Sequence, residues 1–386
     1  VRLSMTLHHT AAARDGFYLS GPGHQLELAR SVQALPRGGL DSLATRAAAF
    51  FAGYGTEGLR LAGALPYDRQ AGDYLFAARP EDGAQAVSPA PRGDGSGAVS
   101  QQVLLREDPP AAQYRAAVAE ALRRIAAGAF DKIVLSRSLR LSAGLAFDPG
   151  ALLAALAVDP LITRFSVPLP PRQAGVPRRL IGATPELLLA KQGAAITSHP
   201  LAGSAPRGRE AAPDKAAGAA LLHSGKDLRE HALVAEMVLD SLAPWCASLA
   251  RPEGVSLAQT ARLWHLGTRI TGVLKDPDTP CAELLRVLHP TPAVSGYPLA
   301  AAEAALPGLE GYDRDFYAGA VGWLEANGDG AWYLALRCAE LEGSEARLYA
   351  GAGVVAGSDP ALEEAETHAK FQAMLAGFGL ATGAVL

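Results

Sequence analysis

The 386-residue sequence predicts an α+β fold, with helices packed on mostly antiparallel sheets. Three observations point there. A long amphipathic helix near residue 111 runs straight into a strand. A late series of strands separated by tight turns reads as a meander. Two further helices begin near Ser224 and Ser358, and no internal repeat interrupts the pattern.

Composition narrows the function classes. A hydrophobic fraction of 49% with 19% charged residues is that of a globular chain with a sizeable core, which excludes extended disorder. The net charge of −4, without long Lys or Arg runs, excludes a nucleic-acid partner, because phosphate binding needs a basic footprint. No uninterrupted apolar window is long enough for a membrane span. Cys246, Cys281 and Cys338 have neither metal-ligand nor CxxC spacing and fit unpaired thiols in a reducing compartment. The first residues, "VRLSMTLHHT", lack an initiator Met and show neither a signal-peptide core nor a cleavage site, so a cytoplasmic protein is expected.

Taken in order, "VSPAPRGDGSGAVS" (87–100) is a Pro-, Gly- and Ser-rich loop. Residues 111–128 form a helix with Tyr114, Val118, Leu122 and Ile125 on one face. The strand 131–141 puts Ile133, Leu135, Leu139 and Leu141 on one side and Lys132, Ser136 and Ser138 on the other. A loop at 168–179 precedes strands "RRLIGA", "ELLLAK" and "AAITSHP". The stretch "SGKDLREHALVAEM" (224–237) opens a helix with Ser224 and Asp227 at capping-box spacing. "GAVGWLE", "AWYLALRCAELE" and "ARLYAGAGVV" are three strands with turns at "ANGDG" and "LEGSE". Ser358 is the expected N-cap of the last helix, with Pro360 in its first turn and Phe371 and Met374 further along.

Chemistry concentrates in a few places. Asp227 and Glu230 share a helix face, as do Glu363, Glu366 and Lys370. Either acid pair alone reads as complementing a helix macrodipole, for about 0.3–1 kcal/mol each. Two matched pairs with oxygen-only ligands instead suit Mg²⁺. "YAGAGVVAG" (349–357) is either a tight strand-to-helix turn or a place where Gly351 and Gly353 let backbone N–H groups approach an anion. Glu186 is either a solvated strand-edge residue or a desolvated acid with a raised pKa, and Lys132 poses the same question as a base. No GxSxG, Walker or HExxH motif occurs, so serine-hydrolase, P-loop and zinc-protease chemistry has no support.

In order along the chain, "DKIVLSR", "GATPELLL", "HPLAGSAPRG", "KDLREH", "LWHLGT", "LHPTPAVSGYP", "RDFYAGAVGW", "LALRCAEL" and "LYAGAGVVAGSDP" resemble the chorismate-utilising enzymes, and within them the isochorismate synthases. The resemblance spans about residues 110–375, and residues 1–100 are less distinctive. It implies a single chorismate-binding domain over 1–386, built of two large, mostly antiparallel sheets surrounded by helices. It implies Glu230 and Glu366 as direct Mg²⁺ ligands, with Asp227 and Glu363 behind them through water. Lys132 matches the general base that activates water, and Glu186 the general acid that protonates the departing hydroxyl. Arg337, Tyr317 and the Gly351–Ala352–Gly353 backbone match groups holding a substrate carboxylate. Ser204, His265, Ala293, Val294 and Lys370 match pocket positions.

These residue types suit chorismate, a dianion whose carboxylates call for a cation, an Arg and a Gly-rich backbone. Lys132 stands where ammonia-using relatives usually carry Gln, and Ala202 where the aminodeoxychorismate-forming branch carries a nucleophilic Lys. The "HPTPA" form, with Ala293 in place of Thr, is typical of isochorismate synthases. The resemblance therefore implies a Mg²⁺-dependent isomerase that acts as a monomer, with no obligatory glutaminase subunit. Its product would feed a siderophore, menaquinone or another aromatic metabolite. Salicylate synthases share the same residues and add pyruvate elimination, and a non-catalytic homologue is the reading from another class.

Overall fold

The computed structural model describes residues 1–7, 16–22, 24–54, 58–80, 99–208 and 210–380. The predicted 87–100 loop lies outside these, apart from its last two residues, which open the strand Val99–Asp108. Among the described residues no helix is long and apolar enough to cross a membrane.

Helix Ala111–Ala126 buries Tyr114, Val118 and Ala121 against Ile133 and Leu135 of the strand Lys132–Ala143. Leu122 and Ile125, expected on the same face, sit at its margin, half-buried. The Lys132 strand is buried over its first eight residues. Its polar–apolar alternation therefore divides two interiors from each other, and neither side is solvent. That is the first physical sign that Lys132 and Ser136 face a polar interior.

The described strands join into one hydrogen-bonded network of 18 strands, with a separate three-stranded sheet. The network reads as two large halves, antiparallel throughout. The first runs Arg2–Leu7, Val99–Asp108, the Lys132 strand, Glu345–Val355, Cys338–Glu342, Arg178–Thr184 and Thr163–Leu169. The hairpin Phe17–Gly21 with His24–Ala34 links it to the second half. That half runs Tyr74–Pro80, Arg60–Leu65, Ala320–Glu325, Gly330–Leu334, Leu187–Gln192, Ala195–His199, Ile270–Leu274 and Cys246–Ala250.

Two segments cross between the halves side by side. Arg178–Thr184 belongs to the first half and Leu187–Gln192 to the second, with Pro185 and Glu186 between them. Gly330–Leu334 belongs to the second half and Cys338–Glu342 to the first. The single strand expected over 331–342 is therefore two. The break falls at Ala335–Arg337, where Arg337 takes a left-handed φ of 47° that period-2 alternation does not reveal. Glu186 likewise precedes its strand instead of starting it.

The predicted loop at 168–179 narrows to 170–177, because the flanking strands extend into it. Helix Gly225–Leu242 packs on the strand Leu201–Pro206 of the small sheet, and helix Pro360–Gly377 on the strand Glu345–Val355. Asp359, not Ser358, caps the last helix: its Oδ1 accepts the Ala361 and Leu362 N–H groups, while Ser358 Oγ turns back to accept from Val355 N.

The "GAVGW" stretch shows how tightly the second half is packed. A Cβ on Gly322 would lie 2.1 Å from the Ala331 carbonyl oxygen and 2.7 Å from the Trp332 ring. Gly322→Ala is therefore expected to destabilise the protein by about 1–3 kcal/mol. Urea unfolding should show a lowered midpoint at unchanged slope, and an unaltered midpoint would contradict this packing.

Candidate active site

The Gly225–Leu242 helix starts as its sequence predicts. Ser224 Oγ accepts the Asp227 N–H at 3.3 Å and donates to the Asp227 carboxylate. Asp227 is thus engaged at the cap. One turn on, Glu230 is buried and Lys132 is fully buried, with Lys132 Nζ 3.2 Å from Glu230 Oε1. That distance is an ion pair's, but Nζ has no hydrogen-bond partner of acceptable geometry, so the two charges are close without being locked together. A Cβ on Gly353 would come 1.9 Å from Glu230 Oε1, so only glycine leaves the carboxylate its place. His231, next in sequence, points elsewhere and bonds Thr268 Oγ1 at 2.7 Å.

The last helix supplies the second set. Glu366 Oε1 accepts from Lys370 Nζ at 2.6 Å and from Ser204 Oγ at 3.1 Å. Burial raises the Glu366 pKa, but the Lys370 and Lys226 ammonium groups outweigh it and hold the carboxyl below its usual range. Glu363 is buried away from the cavity and pairs with Lys226 Nζ at 2.6 Å. Burial and the nearby Glu366 charge push its pKa up against that pairing. The place of Lys226 before Asp227 in the sequence carries no sign of this partner on another helix.

These side chains border an open cavity whose empty space, with its solvent-filled mouth included, is about 710 Å³. Of the residues expected in the site, Glu186, Ser204, Glu230, His265, Ala293, Val294, Tyr317, Arg337, Gly351, Gly353, Glu366 and Lys370 line it. Lys132 stands behind Glu230. Asp227 and Glu363 lie beyond the lining, and strand alternation turns Ala352 to the opposite face. Val134, Leu201, Ala318, Leu336 and Tyr349 line the cavity without having been anticipated. Apart from Tyr349, which stacks on Tyr317 at 4.8 Å between centroids, these are apolar walls that carry no chemical signature.

Glu186 reaches the cavity from the first crossing, and only 4% of it is exposed. Burial pushes its pKa up to about 7, against the Leu201 N–H bond at 3.2 Å and the more distant Lys132, Arg337 and Lys370 charges. Arg337 reaches in from the second crossing, its Nη2 3.5 Å from His265 Nε2. Burial, with Arg337 and Lys370 nearby, pushes the His265 pKa well down, so its ring is neutral. Ser204 and His265 sit opposite each other in the small sheet.

The glycine strand presents backbone donors as well. Gly351 is paired with Ser136, whose N–H goes to Glu310, and Gly353 with Val134, whose N–H goes to Ser295. Both are therefore pairs whose N–H and C=O groups point away from each other. The Gly351 carbonyl accepts from Lys370 Nζ at 2.7 Å on that outer side, beside the cavity. The Gly351 and Gly353 N–H groups face the same way, past the end of the Cys338–Glu342 strand.

Among the described residues no three His, Cys, Asp or Glu side chains converge closely enough to hold a metal by themselves. The four carboxylates of the expected clamp stand instead in separate pairs, with Lys132, Lys226, Lys370 and Ser224. Only Glu230 and Glu366 reach the cavity. Two carboxylates completed by water and ligand oxygens are a donor set that fits Mg²⁺, which keeps several waters.

Comparison with known proteins bears on this arrangement. A family model described as chorismate binding enzyme matches residues 84–379. The chain is 45% identical over 274 residues to isochorismate synthase DhbC of Bacillus subtilis (strain 168), covering 70% of this chain and 69% of that one. It is 37% identical over 344 residues to isochorismate synthase EntC of Escherichia coli (strain K12), covering 86% and 85%. A solved structure of a candidate 2,3-dihydroxybenzoate-specific isochorismate synthase from Bacillus anthracis matches with a TM-score of 0.87 at 35% identity, over 96% of this chain and 98% of that one.

The Glu186 environment has a consequence for stability. Its folded pKa of about 7 lies above the ordinary 4.5, so folding favours the protonated form. Its contribution is complete below about pH 4.5 and is lost as pH rises through 7. Glu186→Gln should therefore flatten the stability–pH curve over that window and leave the variant more stable than wild type at pH 8, by on the order of 3 kcal/mol. Parallel curves for the two proteins in chemical unfolding would contradict the raised pKa.

Proposed function

The chain belongs to the chorismate binding enzyme family, and from that premise we propose that this cavity converts chorismate to isochorismate with Lys132, Glu186 and a Mg²⁺ ion as its working parts. The protein is an isochorismate synthase, an isomerase. The observation that carries the assignment of roles is the contrast between two carboxylates in one cavity. Glu186 is pushed up to about 7 and can hold a proton, while Glu366 is held below its usual range and stays charged.

Glu230 and Glu366 would hold Mg²⁺, with Asp227 and Glu363 behind them through water. When bound, the ion supplies Lewis-acid polarisation and orientation at the ring carboxylate. Arg337 and the outward N–H groups of Gly351 and Gly353 receive the other carboxylate, with Tyr317 beside it; a Cβ on Gly351 would stand 3.1 Å from the Tyr317 hydroxyl. Lys132 takes a proton from the water that bonds to C2. Glu186 gives its proton to the C4 hydroxyl, which leaves as water while both ring double bonds shift, C1=C2 to C1=C6 and C5=C6 to C4=C5. One water enters and one departs, so the reaction is a net isomerisation. Water as nucleophile calls for no ammonia-supplying glutaminase, and the protein acts as a monomer.

Incubation with chorismate and Mg²⁺ should yield isochorismate without pyruvate. Stoichiometric salicylate and pyruvate would make it a salicylate synthase, and no consumption would leave a binding protein. Excess chelator should abolish turnover and added Mg²⁺ restore it; full turnover in chelator would remove the ion from the scheme. Lys132→Ala should lower kcat by about 10²–10⁴-fold while circular dichroism shows an intact fold. A variant with wild-type kcat would reassign the base.

A further inference from the structure

Behind the cavity wall lies a buried charged pair with no part in the scheme above. Arg314 and Glu310 are each about 97% buried, and the guanidinium places four hydrogen bonds. Nε and Nη2 donate to the Glu310 oxygens at 2.8 and 2.6 Å, Nη1 to the Val294 carbonyl at 2.6 Å, and Nη2 to the Val134 carbonyl at 2.7 Å. Val134 and Val294 both line the cavity, from opposite sources. One belongs to the strand that carries Lys132; the other, with Ala293, belongs to the segment before Gly296. Glu310 continues the linkage by accepting from Ser136 N at 2.6 Å and Ser136 Oγ at 2.7 Å. The Tyr67 ring lies against the guanidinium at 4.5 Å, and its hydroxyl donates to Ser295 Oγ at 2.9 Å.

We propose that Arg314, oriented by Glu310, is a positioning residue that fixes the distance between the Lys132 strand and the Ala293–Val294 wall, and so the seat of the substrate ring relative to Lys132. Stability alone does not account for the pair. A buried ion pair replaced by apolar groups of similar volume is often neutral or stabilising. A rigid planar fork does what an apolar pair cannot: it holds two carbonyls on different segments at one fixed separation. Displacement of a reacting group by about 1 Å is enough to cost about 10²-fold in rate.

The inference rests on the assignment of Lys132 and the Ala293 wall to isochorismate formation, and its test separates the two. Arg314→Lys keeps the charge but cannot span both carbonyls and both Glu310 oxygens. It should lower kcat about 10–100-fold with KM nearly unchanged. The double variant Glu310→Leu/Arg314→Met should be at least as stable as Arg314→Lys and show the same kcat loss. Amide hydrogen exchange over residues 291–297 and at Val134 should quicken in both. Wild-type kcat in either variant, a rise in KM alone, or unchanged exchange would overturn the proposal. If both variants fail to fold, Tyr67→Phe decides: a lower kcat supports the clamp and an unchanged kcat overturns it. A wild type that consumes no chorismate refutes the functional reading, while the exchange measurement still decides the clamp.

Discussion

Two backbone hydrogen bonds hold the active site together. Leu334 N–H donates to the Glu186 carbonyl at 3.1 Å, and Ala183 N–H to the Arg337 carbonyl at 3.1 Å. Each joins one sheet crossing to the other. A chain leaving its ladder exposes backbone groups that must be satisfied when buried. Here the two departing segments satisfy each other. As a result the two crossings that carry Glu186 and Arg337 are tied together, and both side chains enter the same cavity. Side chains carried on a free loop would not be held this closely.

The same enclosure accounts for the charge arrangement. Four carboxylates at two helix starts would repel one another if left to themselves. Each has its own partner: Lys132 for Glu230, Lys226 for Glu363, Lys370 for Glu366 and Ser224 for Asp227. Breaking a buried pair by removing one side strands a charge. Glu186 has no such ion-pair partner, only one backbone N–H and more distant charges that burial outweighs, and its pKa goes the other way. The proposed proton donor and the proposed metal-holding carboxylate are thus distinguished by their neighbours, since both are the same residue type.

The sequence revealed the parts better than their connections. Helix periodicity, the Ser224–Asp227 cap and the turns at "ANGDG" and "LEGSE" were readable because each rests on interactions between near neighbours. The cap of the last helix was misplaced by one residue, since Ser358 and Asp359 are both good caps and only geometry separates them. The break at Ala335–Arg337 left no trace in "AWYLALRCAELE", which has no Gly or Pro to mark it. Family resemblance named twelve residues that line the cavity, yet Lys132, Asp227, Glu363 and Ala352 lie outside its lining. Resemblance transfers motif positions; it does not say which way a side chain faces. The Arg314 clamp was invisible because it bonds to carbonyls, and carbonyl positions are not written in residue identity.

That unseen break has a further effect. The Cys338–Glu342 strand pairs Ala339 with Leu348 and Glu340 with Arg347. If the strand ran on unbroken, the same register would set Leu334–Arg337 opposite Gly353–Ala350. The outward N–H groups of Gly351 and Gly353 would then be consumed in a ladder. They stay free because Arg337, at φ 47°, turns the chain away one residue before Cys338. A single left-handed residue therefore does two things: it aims a guanidinium into the cavity and uncovers two backbone donors beside it. The proposed carboxylate site is thus one made by ending a strand early. A residue with a stronger preference for extended backbone at position 337 would threaten all three donors together, even if it kept a positive charge.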